Sequence, residues 1–270
     1  MSALATRLFR GRERVPALDP ADRGLAYGDG LFETMRVADG HVPWWDAHLA
    51  RLALGARVLG FPAPEAGWLQ AQARALLEGA PEQAVLKLVL TRGAGGRGYA
   101  PPAAPEPALL LSLHALPPTP AALHLRWCRT RLSLQPALAG IKHLNRLDQV
   151  LARAEWQDPG IHDGLMLDAR GHVACATSAN LFARIDGRWL TPALADGGVA
   201  GLARAWVLAN AADAAQATLR PDDLASAEAL FLCNAVRGIL PVGQLDDICW
   251  PSHPATETLR RDLGRELSAA

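Results

Sequence analysis

Leu116-Pro117-Pro118-Thr119-Pro120-Ala121 is the stretch that most restricts what this chain can fold into. Three prolines in four residues fix φ and remove backbone donors, so neither a helix nor a central strand can run through them. The stretch is stiff and extended, as an interdomain linker is. It predicts an N-terminal domain over 1–116, a linker over 117–122 and a C-terminal domain over 123–270. With 270 residues, half of them apolar, the chain can supply two cores of moderate size. No internal repeat or low-complexity tract is present.

Before the linker, Leu31 to Val37 reads as a strand, turned by Ala38-Asp39-Gly40-His41. Asp46 is placed to cap a helix from Ala47 to Leu59, with Leu49, Leu52, Ala56 and Leu59 as its buried stripe. Arg51 lies off that stripe, where an arginine ordinarily faces solvent. A second helix is predicted from Glu65 to Glu78, then strands Val85–Thr91 and Leu109–Leu113. Lys87, inside the first of these, reads as a packed stem with its amine in water. Between these strands, Gly93, Gly95 and Gly98 spell a dinucleotide fingerprint. That fingerprint must open a helix, and Tyr99-Ala100-Pro101-Pro102 cannot propagate one. A flexible loop whose Arg92 and Arg97 suit carboxylates is the better account, beside the plain alternative of a solvent loop.

After the linker come a strand from Leu123 to Thr130 and the stretch Gly140-Ile141-Lys142-His143-Leu144-Asn145-Arg146-Leu147-Asp148-Gln149. Leu144, Leu147, Val150, Leu151 and Ala154 follow it like one face of a helix reaching Gln157. Strands Asp163–Leu167 and from His172 onward flank a turn. Gly197-Gly198-Val199-Ala200-Gly201 opens a helix, and such a start presents unpaired amides and the positive end of a dipole to an anion. Leu230 to Cys233 and Ile239 to Val242 are further strands. Thr256 caps a final helix with Leu259, Leu263 and Leu267 in line.

Of the 27 basic residues only Lys87 and Lys142 are lysines. A chain that writes arginine almost everywhere keeps a lysine where arginine cannot serve. A guanidinium stays protonated, whereas a desolvated lysine can lose its proton and form a Schiff base. Lys142, at the junction of a glycine-containing approach and a helical pattern, is the candidate nucleophile. A solvated lysine at a helix start is the alternative that spacing leaves open.

A net charge of zero and a near-neutral pI give no broad basic footprint for nucleic acid. The four cysteines form no CxxC pair and the histidines no HExxH, so no metal site is expected. The first ten residues lack the apolar core of a signal peptide, and no apolar run has the length of a membrane span. A cytoplasmic setting is the simplest expectation.

Gly140 to Val150, GIKHLNRLDQV, resembles the lysine segment of the aminodeoxychorismate lyases, a family of fold-type IV pyridoxal-phosphate enzymes. The resemblance extends along nearly the whole chain. It implies an α+β, two-domain fold with a smaller N-terminal α/β domain and a larger, β-barrel-like C-terminal domain with helices. It implies pyridoxal 5'-phosphate as cofactor, held through Lys142. YGDGLFETMRV is similar to a family signature in which this hairpin reaches the active site, making Tyr27 and Arg36 candidates for an anionic substrate. His48-Leu49-Ala50-Arg51-Leu52 matches the HxxRL pattern whose arginine binds the cofactor phosphate. TRGAGGRGY resembles the substrate loop, which assigns Arg92, Arg97 and Tyr99 to substrate carboxylates. The turn at Gly197–Arg204 resembles the phosphate cup, which assigns the amides of Leu202 and Ala203. Asn234-Ala235 resembles another turn beside the phosphate, and Asn180 belongs to an SNxF-like element.

One position departs from the pattern. Cys175 stands where the family places a glutamate that keeps the cofactor ring nitrogen protonated. A thiol is a weak donor with an ordinary pKa of about 8.5. A transaminase depends on the protonated ring more than a lyase does, because in the lyase leaving-group departure and aromatisation also draw off electrons. The implied reaction is conversion of 4-amino-4-deoxychorismate to 4-aminobenzoate and pyruvate in folate biosynthesis, by a homodimer. An aminotransferase of the same fold for D- or branched-chain amino acids, and a degenerate non-catalytic member, are the rival expectations.

Overall fold

Period-two burial builds the first sheet. The computed structural model describes residues 3–268, with β1 (Ala5–Arg10), β2 (Glu13–Arg14), α1 (Arg23–Tyr27), β3 (Gly30–Ala38), α2 (Trp45–Leu59), α3 (Ala66–Leu77), β4 (Gln83–Thr91) and β5 (Ala108–Ala115) ahead of the prolines. Their sheet runs β2-β1-β5-β4-β3 and is antiparallel throughout. Along β3, Leu31, Glu33, Met35 and Val37 are buried while Phe32, Thr34 and Arg36 are half-buried, as alternating Cβ directions require. α2 packs on β3 through His48, Leu52, Gly55 and Ala56. Being wholly antiparallel, this domain is α+β rather than α/β.

One local expectation changes here and another holds. Trp44, not Asp46, holds the cap position of α2, with φ 58° and no side-chain cap bond. Asp46 sits inside the first turn, where the helix dipole favours a carboxylate. α3 starts as its sequence predicts, with the Glu65 carboxylate accepting from the amides of Gly67 and Trp68 at 2.6 and 2.8 Å.

The chain then forms β6 (Leu123–Trp127), a 3-10 turn at Pro136–Leu138, α4 (Leu147–Arg153), β7 (Asp163–Leu167), β8 (Val173–Ala176), β9 (Asn180–Ile185), β10 (Arg188–Pro192), α5 (Leu202–Asn210), β11 (Ala215–Ala217), α6 (Pro221–Ala225), β12 (Ala229–Asn234), β13 (Gly238–Leu245), β14 (Ile248–Cys249) and α7 (Pro254–Glu266). The sheet order is β11-β10-β9-β12-β13-β6-β7-β8, with β14 on β13. β6 runs parallel to β13 and β7, and β10 parallel to β11; the other pairings are antiparallel. Leu181, Ala183, Leu230, Leu232, Leu240 and Val242 share one core. The alternate residues Phe182 and Phe231 stack at 5.1 Å, and Trp189 meets Phe231 edge-on at 4.7 Å.

The chain divides into two compact units. One holds the residues up to Pro117 together with Ile141–Asn145; the other holds Pro118–Gly140 and Arg146–Leu267. The continuous domain expected over 123–270 is therefore interrupted by the five residues around Lys142. The strand expected to reach Thr130 stops at Trp127, because the Glu155 carboxylate takes the amides of Arg129 and Thr130 at 2.8 Å each. The helix expected to reach Gln157 is only α4, and Leu147, Val150 and Leu151 are exposed rather than buried. Its apolar spacing is helical but does not face this unit's core.

Candidate active site

Ile141–Asn145 is extended and bound to the edge of β3. Phe32 donates its amide to the Lys142 carbonyl at 2.9 Å, and Leu144 donates to Gly30 at 2.9 Å. Asn145 closes the stretch by donating Nδ2 to the Gly28 carbonyl at 3.1 Å. Gly28 follows α1 at φ 67°, a conformation that suits glycine and turns the chain into β3. Ile141 is 3% exposed and anchors the other side of Lys142. The lysine amine consequently lies 4.1 Å from the Phe32 ring centroid, a cation–π distance. Lys142 is therefore held by backbone bonds to β3 on one side and a buried side chain on the other, not carried on a helix start.

Under the same strand lies a buried charge cluster. Glu33 points inward from β3 and accepts from Arg51 at 2.7 Å (Nε) and 2.5 Å (Nη2), and from His48 Nδ1 at 2.7 Å. Burial would push the Glu33 carboxyl up, but the hydrogen bonds and charges of His48 and Arg51 outweigh it and hold the pKa at about 2. Burial in turn holds the His48 imidazole below its ordinary value, against the pull of Glu33. Because Glu33 stays ionised, His48 Nδ1 is the proton donor of that pair. The Arg51 side chain is 9% exposed. The solvent-facing place that an off-stripe arginine ordinarily takes does not apply, because a carboxylate waits on the neighbouring strand. Glu33 and His48 escaped the sequence reading, although a glutamate in register with Leu31, Met35 and Val37 was a visible signal.

The expected substrate residues separate into two kinds. Tyr27 and Tyr99 have partly or largely exposed rings 5.4 Å apart, and Arg97 is exposed. Arg36 lies on the open face of β3, where its Nη2 donates to Gln83 at 2.7 Å. Arg92 is different: it is buried, donates to Asp29 at 2.7 and 3.1 Å, and donates to the Leu59 and Gly60 carbonyls at 2.6 and 3.0 Å. Its fork closes the end of α2 onto the β3 hairpin. A structural ion pair, not a substrate carboxylate, is what this geometry gives Arg92.

The second unit presents backbone that is a candidate cradle for an anion. Gly140 pairs with Val199, donating to the Gly198 carbonyl at 3.0 Å and accepting from Ala200 at 2.9 Å. α5 begins immediately after, with Gly201 at its cap and no capping side chain on the amides of Leu202 and Ala203. Asn180 is buried and donates to the Val199 carbonyl at 3.0 Å, and its Oδ1 lies where a Cβ on Gly201 would approach to 2.1 Å. Arg204, also buried, is spent on Thr191, the Pro192 carbonyl and Gln216. Asn234 accepts from the amides of Val236 and Arg237 at 3.1 and 2.9 Å, folding the Asn234-Ala235 turn. Cys175 is buried among Cys128, Leu132, Ala152, Trp156 and Met166. Burial pushes its thiol to about 12, even with the Arg146 guanidinium near enough to pull it down. It is a neutral thiol at any physiological pH. Among the described residues, no three His, Cys, Asp or Glu side chains gather to hold a metal ion.

An amine, a guanidinium locked to a carboxylate, and a glycine-opened helix start are donors suited to an aldehyde and a phosphate. The chain is similar to a crystal structure of 4-amino-4-deoxychorismate lyase from Pseudomonas aeruginosa, at 42% identity and a TM-score of 0.90, covering 97% of this chain and 100% of that one. It is 36% identical over 267 residues to an aminodeoxychorismate lyase of Vibrio harveyi, covering 90% of this chain and 94% of the relative. A putative branched-chain-amino-acid aminotransferase of Methanocaldococcus jannaschii is 29% identical over 234 residues, covering 83% and 81%. Residues 30–245 match the amino-transferase class IV family, and the chain belongs to that family.

Proposed function

We propose that this protein is a pyridoxal-phosphate-dependent lyase that converts 4-amino-4-deoxychorismate to 4-aminobenzoate and pyruvate, a step of folate biosynthesis. The observation that carries the reading is the placement of Lys142, one of two lysines in the chain, with its amine over Phe32 and its backbone bolted to β3. The likeness to the two lyases above, over 90% and 97% of the chain, supports it. When bound, the cofactor supplies an aldehyde for the amines of lysine and substrate and a conjugated ring that accepts electrons.

The chain's residues would do the rest. In the first unit, Lys142 holds the aldehyde end, and Arg51, aimed by Glu33, takes phosphate oxygens. In the second, the amides of Leu202 and Ala203 and the turn at Asn234-Ala235 offer donors to the same kind of group. Asn180 fixes the Val199 turn that delivers the α5 amides. Tyr27, Arg36, Arg97 and Tyr99 are the groups for an anionic substrate. Lys142 Nζ removes the proton from the amine-bearing ring carbon. The neighbouring C–O bond breaks, its electrons leave with enolpyruvate, and the ring becomes aromatic. The proton on Nζ then passes to the methylene carbon of enolpyruvate, which leaves as pyruvate.

Cys175 favours the lyase over an aminotransferase. A buried thiol with a pKa near 12 offers a ring nitrogen a weak neutral donor and no carboxylate. The lyase tolerates this because aromatisation drives the bond cleavage.

A homodimer in a reducing, cytoplasmic setting completes the proposal. The exposed apolar side of α4 and the four free cysteines, three of them buried, support it. Lys142→Arg keeps the charge and the fold but cannot bond the aldehyde. It should lose the cofactor's visible absorbance band and at least about a thousandfold of turnover. Parental turnover in the Lys142→Arg variant would sink the assignment.

A further inference from the structure

One buried arginine of the first unit has no part in the chemistry above, yet both of its terminal nitrogens donate into the loop that carries Arg97 and Tyr99. Arg23 is 5% exposed. Its Nε donates to Asp29 at 2.8 Å, one terminal nitrogen donates to the Gly98 and Ala100 carbonyls at 3.2 Å each, and the other to the Tyr99 carbonyl at 2.8 Å. Three consecutive carbonyls of a glycine-rich loop thus converge on one guanidinium. The same residue fixes the loop's beginning through its backbone, donating its amide to Gly93 at 2.9 Å, and Gly95 donates to Ala21 at 3.2 Å. A Cβ at Gly95 would lie 2.8 Å from Arg23 Cδ, so this glycine lets the side chain pass beneath the loop. The Arg23 guanidinium also covers the Tyr27 ring at 5.0 Å, and Tyr27 meets Tyr99. Asp29 ties Arg23 to Arg92 and through it to the end of α2.

We propose that Arg23 is the positioning residue of the substrate loop, clamping the Gly98, Tyr99 and Ala100 carbonyls so that Arg97 and Tyr99 are presented to substrate in one fixed arrangement. The clamped backbone begins at Gly98, directly after Arg97, so the loop is exposed while the guanidinium that holds it is buried. A loop with four glycines in six residues, Gly93 to Gly98, has little stiffness of its own. The planar five-donor fork meets three carbonyls and a carboxylate at once, which a lysine ammonium cannot do. The inference rests on the reading of this loop as the one that binds the anionic substrate.

The test compares Arg23→Lys with the parent holoenzyme, with Arg23→Gln as a second variant if the first does not fold. Three quantities are read: cofactor affinity, kcat and KM for aminodeoxychorismate, and the rate of trypsin cleavage after Arg97, located by mass spectrometry. The clamp predicts cofactor affinity unchanged, KM raised about tenfold with kcat within about threefold, and cleavage after Arg97 clearly accelerated. Parental cleavage after Arg97 in the variant overturns the inference whatever happens to turnover. Accelerated cleavage with an unchanged KM also overturns it, since the loop would then be held for another purpose. Equal losses in cofactor affinity and kcat would mean general damage and overturn it too. A parent that releases no pyruvate, with cleavage still accelerated in the variant, fails the substrate reading itself and takes the positioning role with it while leaving the clamp visible.

Discussion

Glu33 decides more than its size suggests. It is a carboxylate on the buried face of a strand, and such a group is tolerated only when paired and hydrogen-bonded. His48 and Arg51 lie one helical turn apart on α2 and meet it together. The folded pKa of about 2 lies below the ordinary 4.5. A depressed carboxyl stabilises the fold fully above the unfolded value and loses that contribution as pH falls from about 4.5 toward 2. The shift corresponds to about 3 kcal/mol as an order of magnitude. Glu33→Gln should therefore unfold at clearly lower denaturant than the parent at pH 7, by about 3 kcal/mol. The gap should narrow toward pH 3. An equal gap at both pH values would show that charge pairing is not what Glu33 contributes.

At the scale of elements, the start of α5 is where the proposal asks backbone alone to bind. Gly201 is needed there because Asn180 approaches so closely that a methyl group would stand 2.1 Å from its Oδ1. Gly201→Ala should push Asn180 off Val199, tilt the first amides of α5, and weaken cofactor binding by about tenfold or more with little change in melting temperature. Unchanged affinity in a titration of the apoprotein would remove the cradle from the account. The sequence made this turn legible through its glycines, and made β3, α2 and α3 legible through their spacing. It did not reveal that Lys142 sits on an extended strand-edge stretch, because Leu144, Leu147, Val150 and Leu151 carry a helical period that β3 overrides at its first member. Nor did it separate Arg92 from Arg97. Both are arginines in one glycine-rich loop, and only the fold brings Asp29 and the carbonyls of Leu59 and Gly60 to the first of them. Arg51 was singled out through the HxxRL resemblance, while its partner Glu33 appeared only with the strand's register.

For the whole molecule, the exposed side chains of Leu147, Val150 and Leu151, at 73%, 58% and 59%, are an apolar surface that a second copy of the chain would cover. Light scattering should find a dimer, and Leu151→Lys should shift it toward monomer; a monomeric parent would contradict the homodimer. The central claim concerns chemistry, and one assay meets it directly. Purified protein, loaded with pyridoxal phosphate, is given enzymatically generated 4-amino-4-deoxychorismate, with chorismate as control. The account predicts prompt pyruvate in equal amount to 4-aminobenzoate, none from chorismate, and hence a working site with Cys175 in place of a carboxylate. A protein that shows the bound cofactor's absorbance yet releases no pyruvate would contradict it.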